Sequence, residues 1–244
     1  MRSLLLVAIC LLPFGHTHAE DAALKQVRAL LVPRTEAQLA SQVSARITAI
    51  NVDLGDRFQK DETLVSFDCQ VEQAHRQKAR AELDAATITH QSKQKLRKLA
   101  SVSQLELALA KVNVQQARAE LRAIDARLAM CSIKAPFAGR VVARNARAFE
   151  TVRQGDELIE ILDDSELYAD LFVPSAWIPW LKPGAEFEID IVETGKRYAA
   201  QVERIGARID PVSRTVAVKG KLLSQSPELL AGMSGQATFS QAAR

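Results

Sequence analysis

The chain has 244 residues, 48% hydrophobic and 25% charged, the proportions of a folded soluble protein with room for more than one module. Its net charge is only +3 and its aromatic content 5%, so it has neither the clustered basic excess nor the stacking surface that nucleic-acid binding uses.

The chain opens as a leader does. Arg2 gives a positive start, Leu4–Phe14 a short apolar run broken by Pro13, and Thr17-His18-Ala19 the small residues that a signal peptidase inspects. Residues 1–19 are therefore expected to be a signal peptide, cleaved between Ala19 and Glu20. The apolar run of eleven residues is well short of the ~20 needed to span a bilayer. Cys10 lies inside that run rather than at its end, which speaks against a lipid anchor. Without Arg2, 31 basic residues (32 less one) face 29 acidic ones. No later segment has the length and apolarity of a membrane span, so the mature chain is expected to be exported and soluble.

Residues 20–68 alternate as strands do around Val43-Ser44-Ala45-Arg46-Ile47, with a turn at Asp53-Leu54-Gly55-Asp56. Residues 69–131 contain no Gly or Pro and are rich in strong helix formers. Within them Leu107, Ala110, Val114, Ala117, Leu121, Ile124, Leu128 and Cys131 recur at alternating spacings of three and four, the seam of a coiled coil. The first half is less regular: Val71, Ala74, Ala81, Ala85, Ile88 and Leu99 share a frame that Lys78, Ser92 and Lys95 interrupt. A break falls near Leu99–Ser103, where Ser101 or Ser103 caps a second helix and Glu106 completes a capping box with Ser103. Two helices of ~28 residues, each ~42 Å long, then fold back as a hairpin with Cys69 opposite Cys131. A single long helix in a dimeric coiled coil is the alternative.

Residues 132–164 return to strand texture through Ala135-Pro136-Phe137-Ala138-Gly139, where Pro136 ends helical geometry and Gly139 is expected to supply a positive φ. Residues 165–244 hold short β-branched runs separated by Pro and Gly, as in a small barrel or sandwich. The two β segments flanking the helices are related. A shift of 94 places Arg46 on Arg140, Ile47 on Val141, Asp56 on Glu150, Phe58 on Val152, Glu62 on Asp156, Leu64 on Leu158, Val65 on Ile159 and Phe67 on Ile161. Such a constant offset marks an internal duplication. Each half alone would expose an apolar face, so the halves are expected to form one body with the hairpin inserted between them.

No constellation points to catalysis. There is no G-x-S-x-G elbow, H-E-x-x-H or P-loop, and the Asp163-Asp164 and Asp53/Asp56 carboxylates fall in turns, where they bond local backbone. His75, His90, Met130 and Met233 have no ligand spacing, so no metal is expected, and the histidines read as solvated helix-face residues. Trp177 and Trp180 either plug one end of a small barrel or form an aromatic ligand patch.

Four segments in this order carry a resemblance: Ile133-Lys134-Ala135-Pro136-Phe137-Ala138-Gly139-Arg140-Val141, Val152-Arg153-Gln154-Gly155-Asp156-Glu157-Leu158, Ile209-Asp210-Pro211-Val212-Ser213-Arg214-Thr215-Val216 and Leu230-Ala231-Gly232-Met233-Ser234-Gly235-Gln236. With the heptad hairpin and the leader, the chain resembles the periplasmic adaptor family, also called membrane fusion proteins, of tripartite efflux pumps. The third segment is similar to adaptors of resistance-nodulation-division transporters. Departures fall in turns: Asp61 stands where the second half has Gly155, and Arg46 where the family usually has Gly.

The resemblance implies a mainly β fold with an inserted α-helical coiled-coil hairpin, elongated overall. Its parts would be a split lipoyl-like barrel-sandwich (20–68 and 132–164), the hairpin (69–131) and a small β-barrel (165–244). It implies a non-enzymatic periplasmic protein without cofactor, held at the inner membrane by its partners. Those partners would be an inner-membrane transporter, a TolC-type outer-membrane channel and further copies of itself in a ring. An adaptor of an ATP-driven system exporting polypeptide, or an exported ligand-binding or processing protein with a structural coiled coil, is the alternative. A lipoyl carrier would need a modifiable Lys on the tight turn joining its halves, and here that connection is the hairpin. The family's channel-contact motif, Arg-x3-Leu-x6-Ser, is met by Leu96 and Ser103, but Ser92 stands at the Arg position and Lys93, Lys95 and Arg97 lie nearby. Seam packing for Leu96 and capping for Ser103 are the structural alternatives. In the oxidising periplasm, Cys69 and Cys131 at the hairpin root are expected to form a disulfide, although the direction of Cys69 is open. The family's membrane-proximal domain, built from both termini, is expected to be absent or vestigial.

Overall fold

A computed structural model describes residues 25–224 and 226–240. The expected leader and the Ala19–Glu20 cleavage site lie outside them. The described chain divides into two compact units, one of residues 31–169 with 226–232, the other of 25–30, 170–224 and 233–240.

In the first unit, a four-stranded sheet runs in the order β5 (Ser132–Lys134), β4 (Thr63–Phe67), β2 (Ala45–Ile50), β7 (Thr151–Val152). β6 (Gly139–Arg144) pairs antiparallel with β3 (Arg57–Phe58) on one side and with β8 (Glu157–Pro174) on the other. Ile47, Phe58, Leu64, Val65, Val141, Leu158, Ile159 and Ile161 fill the core, each at most 2% exposed. Both halves of the chain supply it, so neither closes a core alone.

The duplication extends to the hydrogen bonds. Asn51 N donates to the Leu64 carbonyl as Asn145 N does to Leu158, and Asp53 N to the Asp56 carboxylate as Arg147 N does to Glu150. The halves also exchange bonds reciprocally: Gly55 N to Val141 O and Phe149 N to Ile47 O, Asp61 N to Ala135 O and Gly155 N to Ser41 O. Every one of these pairs is related by the 94-residue shift. Positive φ recurs at the same sites, Gly55 (+83°) with Phe149 (+71°) and Asp61 (+65°) with Gly155 (+96°). Each half thus places glycine at one left-handed position and a side chain at the other.

Gly139 differs from the expectation. It is absent from the positive-φ residues, and a Cβ there would strike the backbone carbonyl of Leu162 on the adjacent β8. Its role is close approach of two strands, which the turn-like sequence context disguises.

From this sandwich emerge α1 (Gln70–Lys98) and α2 (Gln104–Ala129), packed on each other as an antiparallel hairpin. On α2 the expected seam faces inward: Ala110, Leu121 and Ile124 are buried, and Val114, Ala117 and Leu128 pack against them. On α1 the expected frame does not. Val71 is 69% exposed, Ile88 64% and Leu99 73%, while Ala79 and Leu83 are buried. The inner face of α1 runs through Glu72, Arg76, Ala79, Leu83, Ala86, His90 and Lys93, a mixed series in which Arg76 reaches Asp125 (2.6 Å) and Lys93 reaches Glu106 (3.7 Å) on α2. Apolar counting selects the wrong face because half the inner one is charged. His90 accordingly sits half-buried beside the seam rather than on a solvated face.

The second unit is a β-barrel. β12 (Ser234–Phe239), β9 (Glu186–Ile191), β10 (Lys196–Ile209) and β11 (Thr215–Leu222) follow one another between β1 (Lys25–Ala40) and β8, and a β1–β8 pairing closes the ring. Alternate residues Phe187, Ile189 and Ile191 of β9, with Tyr198, Ala200 and Val202 of β10, point inward. Lys25–Leu30 pair with Phe239–Ser234 of β12, so these residues belong with the barrel rather than with the sandwich to which the sequence reading assigned them. β8 likewise contributes residues to both units, placing 165–169 in the first. Period-two alternation identifies a strand but not its partner, and here the partner lies at the far end of the chain.

Candidate functional site

Among the described residues no group of His, Cys, Asp or Glu could hold a metal ion, and no helix is long and apolar enough to cross a membrane. Of the carboxylates expected in turns, Asp53 and Asp56 stand in one, whereas Asp163 and Asp164 lie within β8, where Asp164 pairs with Arg57 (3.0 Å) and Arg140 (3.4 Å). Asp53 accepts from Leu54 N and from Arg144 Nε, and both bonds lower its pKa. Asp210 accepts from Val212 N, Ser213 N and the Ser213 hydroxyl, an arrangement that lowers its pKa and folds the β10–β11 turn. Trp177 and Trp180 lie 5.5 Å apart against Phe239, with the Lys25 ammonium 4.5 Å from the Trp180 ring. The Trp pair packs on this aromatic cluster.

The hairpin concentrates the unusual features. At its root Cys69 and Cys131 are joined by a disulfide, with Cα atoms 6.2 Å apart. Cys69 is the N-cap of α1 and makes no side-chain capping bond. Cys131 follows the C-cap Met130, and its carbonyl accepts from Phe67 N beside the β4–β5 ladder. The covalent link therefore joins the points where both helices leave the sandwich.

At the tip, Leu99 N, Ala100 N and Ser101 N bond back to the Leu96 and Arg97 carbonyls, and Ala100 takes a φ of +54° to turn the chain. Ser103 then caps α2. Its Oγ accepts from Glu106 N at 3.1 Å, while the Glu106 carboxylate accepts from Ser103 N at 2.9 Å. The Ser103 amide and hydroxyl, with Lys93 adding less, lower the pKa of Glu106. Leu96 is 44% exposed. The tip thus brings Leu96 and Ser103 to one end, the first as an open apolar side chain and the second as a cap. Lys95, Arg97 and Lys98 crowd the last turn of α1, and Arg97 Nη1 donates to the Val102 carbonyl. The result is a basic end with a small exposed apolar element.

Residues 35–163 match the CzcB-like barrel-sandwich hybrid domain, and residues 167–243 the CusB-like beta-barrel domain. Among curated relatives, the nodulation protein NolF of Rhizobium meliloti is 26% identical over 77% of this chain and 55% of its own length. The macrolide export protein MacA of Yersinia pestis is 25% identical over 79% of this chain and 60% of its own. The chain thus spans little more than half the length of these relatives. Among solved structures, a MacA–MexA chimera carrying the Pseudomonas aeruginosa MexA α-hairpin superposes with a TM-score of 0.80 at 20% identity, covering 89% of this chain and 80% of that one, a likeness of fold.

Proposed function

We propose, because this chain belongs to the periplasmic adaptor (membrane fusion protein) family, that it links an inner-membrane transporter to a TolC-type outer-membrane channel, by binding and conformational coupling without catalysis. The observation that carries this reading is the hairpin's construction. Two helices of 29 and 26 residues, closed at the root by Cys69–Cys131, leave a sandwich whose halves share one core. At 1.5 Å per residue such an arm is about 40 Å long, and it ends in exposed basic and apolar side chains.

In this reading the chain works in the periplasm, several copies stand in a ring, and the tip around Leu96–Ser103 meets the channel. Lys95, Arg97 and Lys98 supply the positive charge that the motif's missing Arg would have given, and the partner surface is accordingly acidic. The oxidised clamp suits the periplasm, where disulfides persist.

A photo-crosslinking amino acid placed at Leu96, and separately at Ser103, tests the role in cells. The expected product is a covalent adduct with an outer-membrane channel, while a probe at Lys196 in the barrel yields none. Adducts at both tip positions with soluble proteins alone would overturn the adaptor reading. If the transporter recovered with the same complex is an ATPase rather than a proton-driven carrier, the pump belongs to the ATP-driven class.

A further inference from the structure

The root of the hairpin has little besides the Cys69–Cys131 bond to hold it closed. α1 buries no side chain before Ala79, and α2 buries none after Ile124. That leaves residues 70–78, about 13 Å of α1, without a buried seam. Half-buried Leu128 and the Arg76–Asp125 ion pair remain there, and the pair's side chains are 59% and 44% exposed. An ion pair so open to solvent contributes little. Both cysteines are themselves half-buried, within reach of other thiols, and exposed disulfides are the ones that exchange.

Cys131 also stands beside an open strand edge. It directly precedes β5, the outermost strand of its sheet, which has β4 as its neighbour. Met130, Ser132 and Lys134 line a cleft of about 720 Å³, together with Gln38, Gln42 and Gln154. An extended segment of another protein can enter such a cleft and bond to the strand's main chain.

We propose that the root disulfide is a reversible latch, opened and closed by a dithiol protein of the Cys-X-X-Cys class that docks along β5. In opening, one thiolate of the dithiol attacks Cys131 Sγ, the 69–131 bond breaks, and Cys69 leaves as a thiolate that takes up a proton. The second thiol of the dithiol loses its proton and attacks its partner sulfur in the mixed disulfide. Cys131 is released and protonated in turn. Two electrons and two protons have then passed to this chain, and the dithiol has become a disulfide. Closing is the reverse, with the oxidised partner as acceptor.

Position favours this order of attack. A segment paired along β5 brings its reactive sulfur beside the residue that precedes the strand. Cys69 is the N-cap of α1, where the helix dipole favours a departing anion, whereas Cys131 follows the carbonyl end of α2, with Arg127 in the last turn only partly offsetting that end. Once the bond is open the roots separate at 70–78 and 125–130, while the seam from Ala79 to Ile124 persists. The oxidised arm is stiff at its base and the reduced arm slack. That a slack arm loosens its hold on the channel rests on the bridging role proposed above.

The oxidised full-length chain, mixed with thioredoxin whose second active-site cysteine is replaced by serine, tests the exchange, because that variant stops at the mixed disulfide. The expected adduct is on Cys131, mapped by mass spectrometry. Unaltered thioredoxin should open the bond at least about tenfold faster than glutathione at equal thiol concentration. No adduct on the folded chain, an adduct on Cys69, or equal rates would overturn the proposal. Amide exchange then compares the oxidised and reduced chains: residues 70–78 and 125–130 should exchange about tenfold faster after reduction, with 104–121 unchanged. Equal exchange throughout would make the bond a passive staple, and loss of protection along the whole hairpin would make it indispensable to the fold; either result overturns the latch. In cells, a Cys69→Ser/Cys131→Ser chain with the photo-crosslinker at Leu96 should give several-fold fewer channel adducts than the oxidised chain. Undiminished adducts would overturn the latch's control of the arm and leave the bridging role standing. Absence of adducts from the oxidised chain as well would remove the bridging role and leave the exchange results standing.

Discussion

Gly55 turns the chain at a φ of +83° with nothing within 4 Å of where a Cβ would stand, whereas a Cβ on Gly139 would run into the Leu162 carbonyl. The two demands predict different tolerances. Gly55→Ala costs about 1 kcal/mol, the left-handed penalty, and Gly55→Asn less, because asparagine visits that region readily. Gly139→Ala and Gly139→Asn both cost more, about 2–3 kcal/mol, because the β6–β8 ladder must part. Urea unfolding of the four variants checks the order, and a mild Gly139→Asn would mean the strands can separate cheaply. Glu106 sets a second residue-scale expectation. Its folded pKa lies below the ordinary glutamate value because Ser103 N–H and O–H bond the ionised carboxylate. The stabilisation of the tip is therefore fully present above the ordinary glutamate pKa and is lost as pH falls through the depressed one. Amide exchange at residues 99–106 should be constant from pH 7 down to the onset of that range, after correction for intrinsic rates, and accelerate below it. Glu106→Ala should remove the pH dependence.

At the scale of elements, the hairpin is held by unequal means. Its buried apolar cluster is small, made of Ala79, Leu83, Leu121 and Ile124 with a few neighbours, and charged residues fill much of the α1 face. Leu83→Ala should therefore loosen the hairpin by about 2–3 kcal/mol, while Ile88→Ala leaves the isolated copy nearly unchanged. Reversed effects would show that the α1 frame marked out by the sequence is the inner one after all. The root disulfide compensates for the thin seam. It closes a separation of 62 residues, and a Cys69→Ser/Cys131→Ser variant should lose about 4 kcal/mol by the chain-entropy account. Guanidinium unfolding of the variant beside the oxidised chain measures that loss. The elements differ in how far the sequence announces them. The α2 heptads, the Ser103–Glu106 cap and the doubled turns are local patterns with local causes, and all are legible. The inner face of α1 is set by its partner helix, with Arg76 chosen by Asp125 and Lys93 by Glu106, and nothing within α1 alone declares it. Strand partnership is lost for the same reason: Lys25–Leu30 read as the start of the sandwich because their mate, β12, is remote in the chain. At the tip, the cap is written in Ser103 and Glu106, whereas the open position of Leu96 follows from the turn at Ala100, a residue with no propensity for positive φ.

For the whole molecule, the internal repeat makes the hairpin separable from the body that carries it. Reciprocal bonds between Gly55 and Val141, Phe149 and Ile47, Asp61 and Ala135, and Gly155 and Ser41 tie the halves to each other without passing through the helices. The common core does so too, since Ile47, Leu64 and Val65 of one half pack in the same cluster as Val141, Leu158 and Ile161 of the other. The chain leaves and re-enters this body at points only 6.2 Å apart, the Cys69–Cys131 Cα separation, a gap that a tight turn of two residues spans. Replacing residues 70–130 by Asn-Gly, with Cys69 and Cys131 kept as the outer positions of the turn, should therefore give a protein that still unfolds cooperatively, with its β circular-dichroism signal intact and its helical signal gone. Shortening the loop between the halves also lowers the entropy of the unfolded chain, so the remaining sandwich should be no less stable than expected from its own core. In cells the same variant should reach the periplasm at normal levels and yet fail to rescue export in a strain lacking the full-length chain. If it proves unfolded, the hairpin is part of the body's core and the sandwich cannot be treated as a platform. If it folds and still supports export, the arm is dispensable and the bridging role falls to another surface.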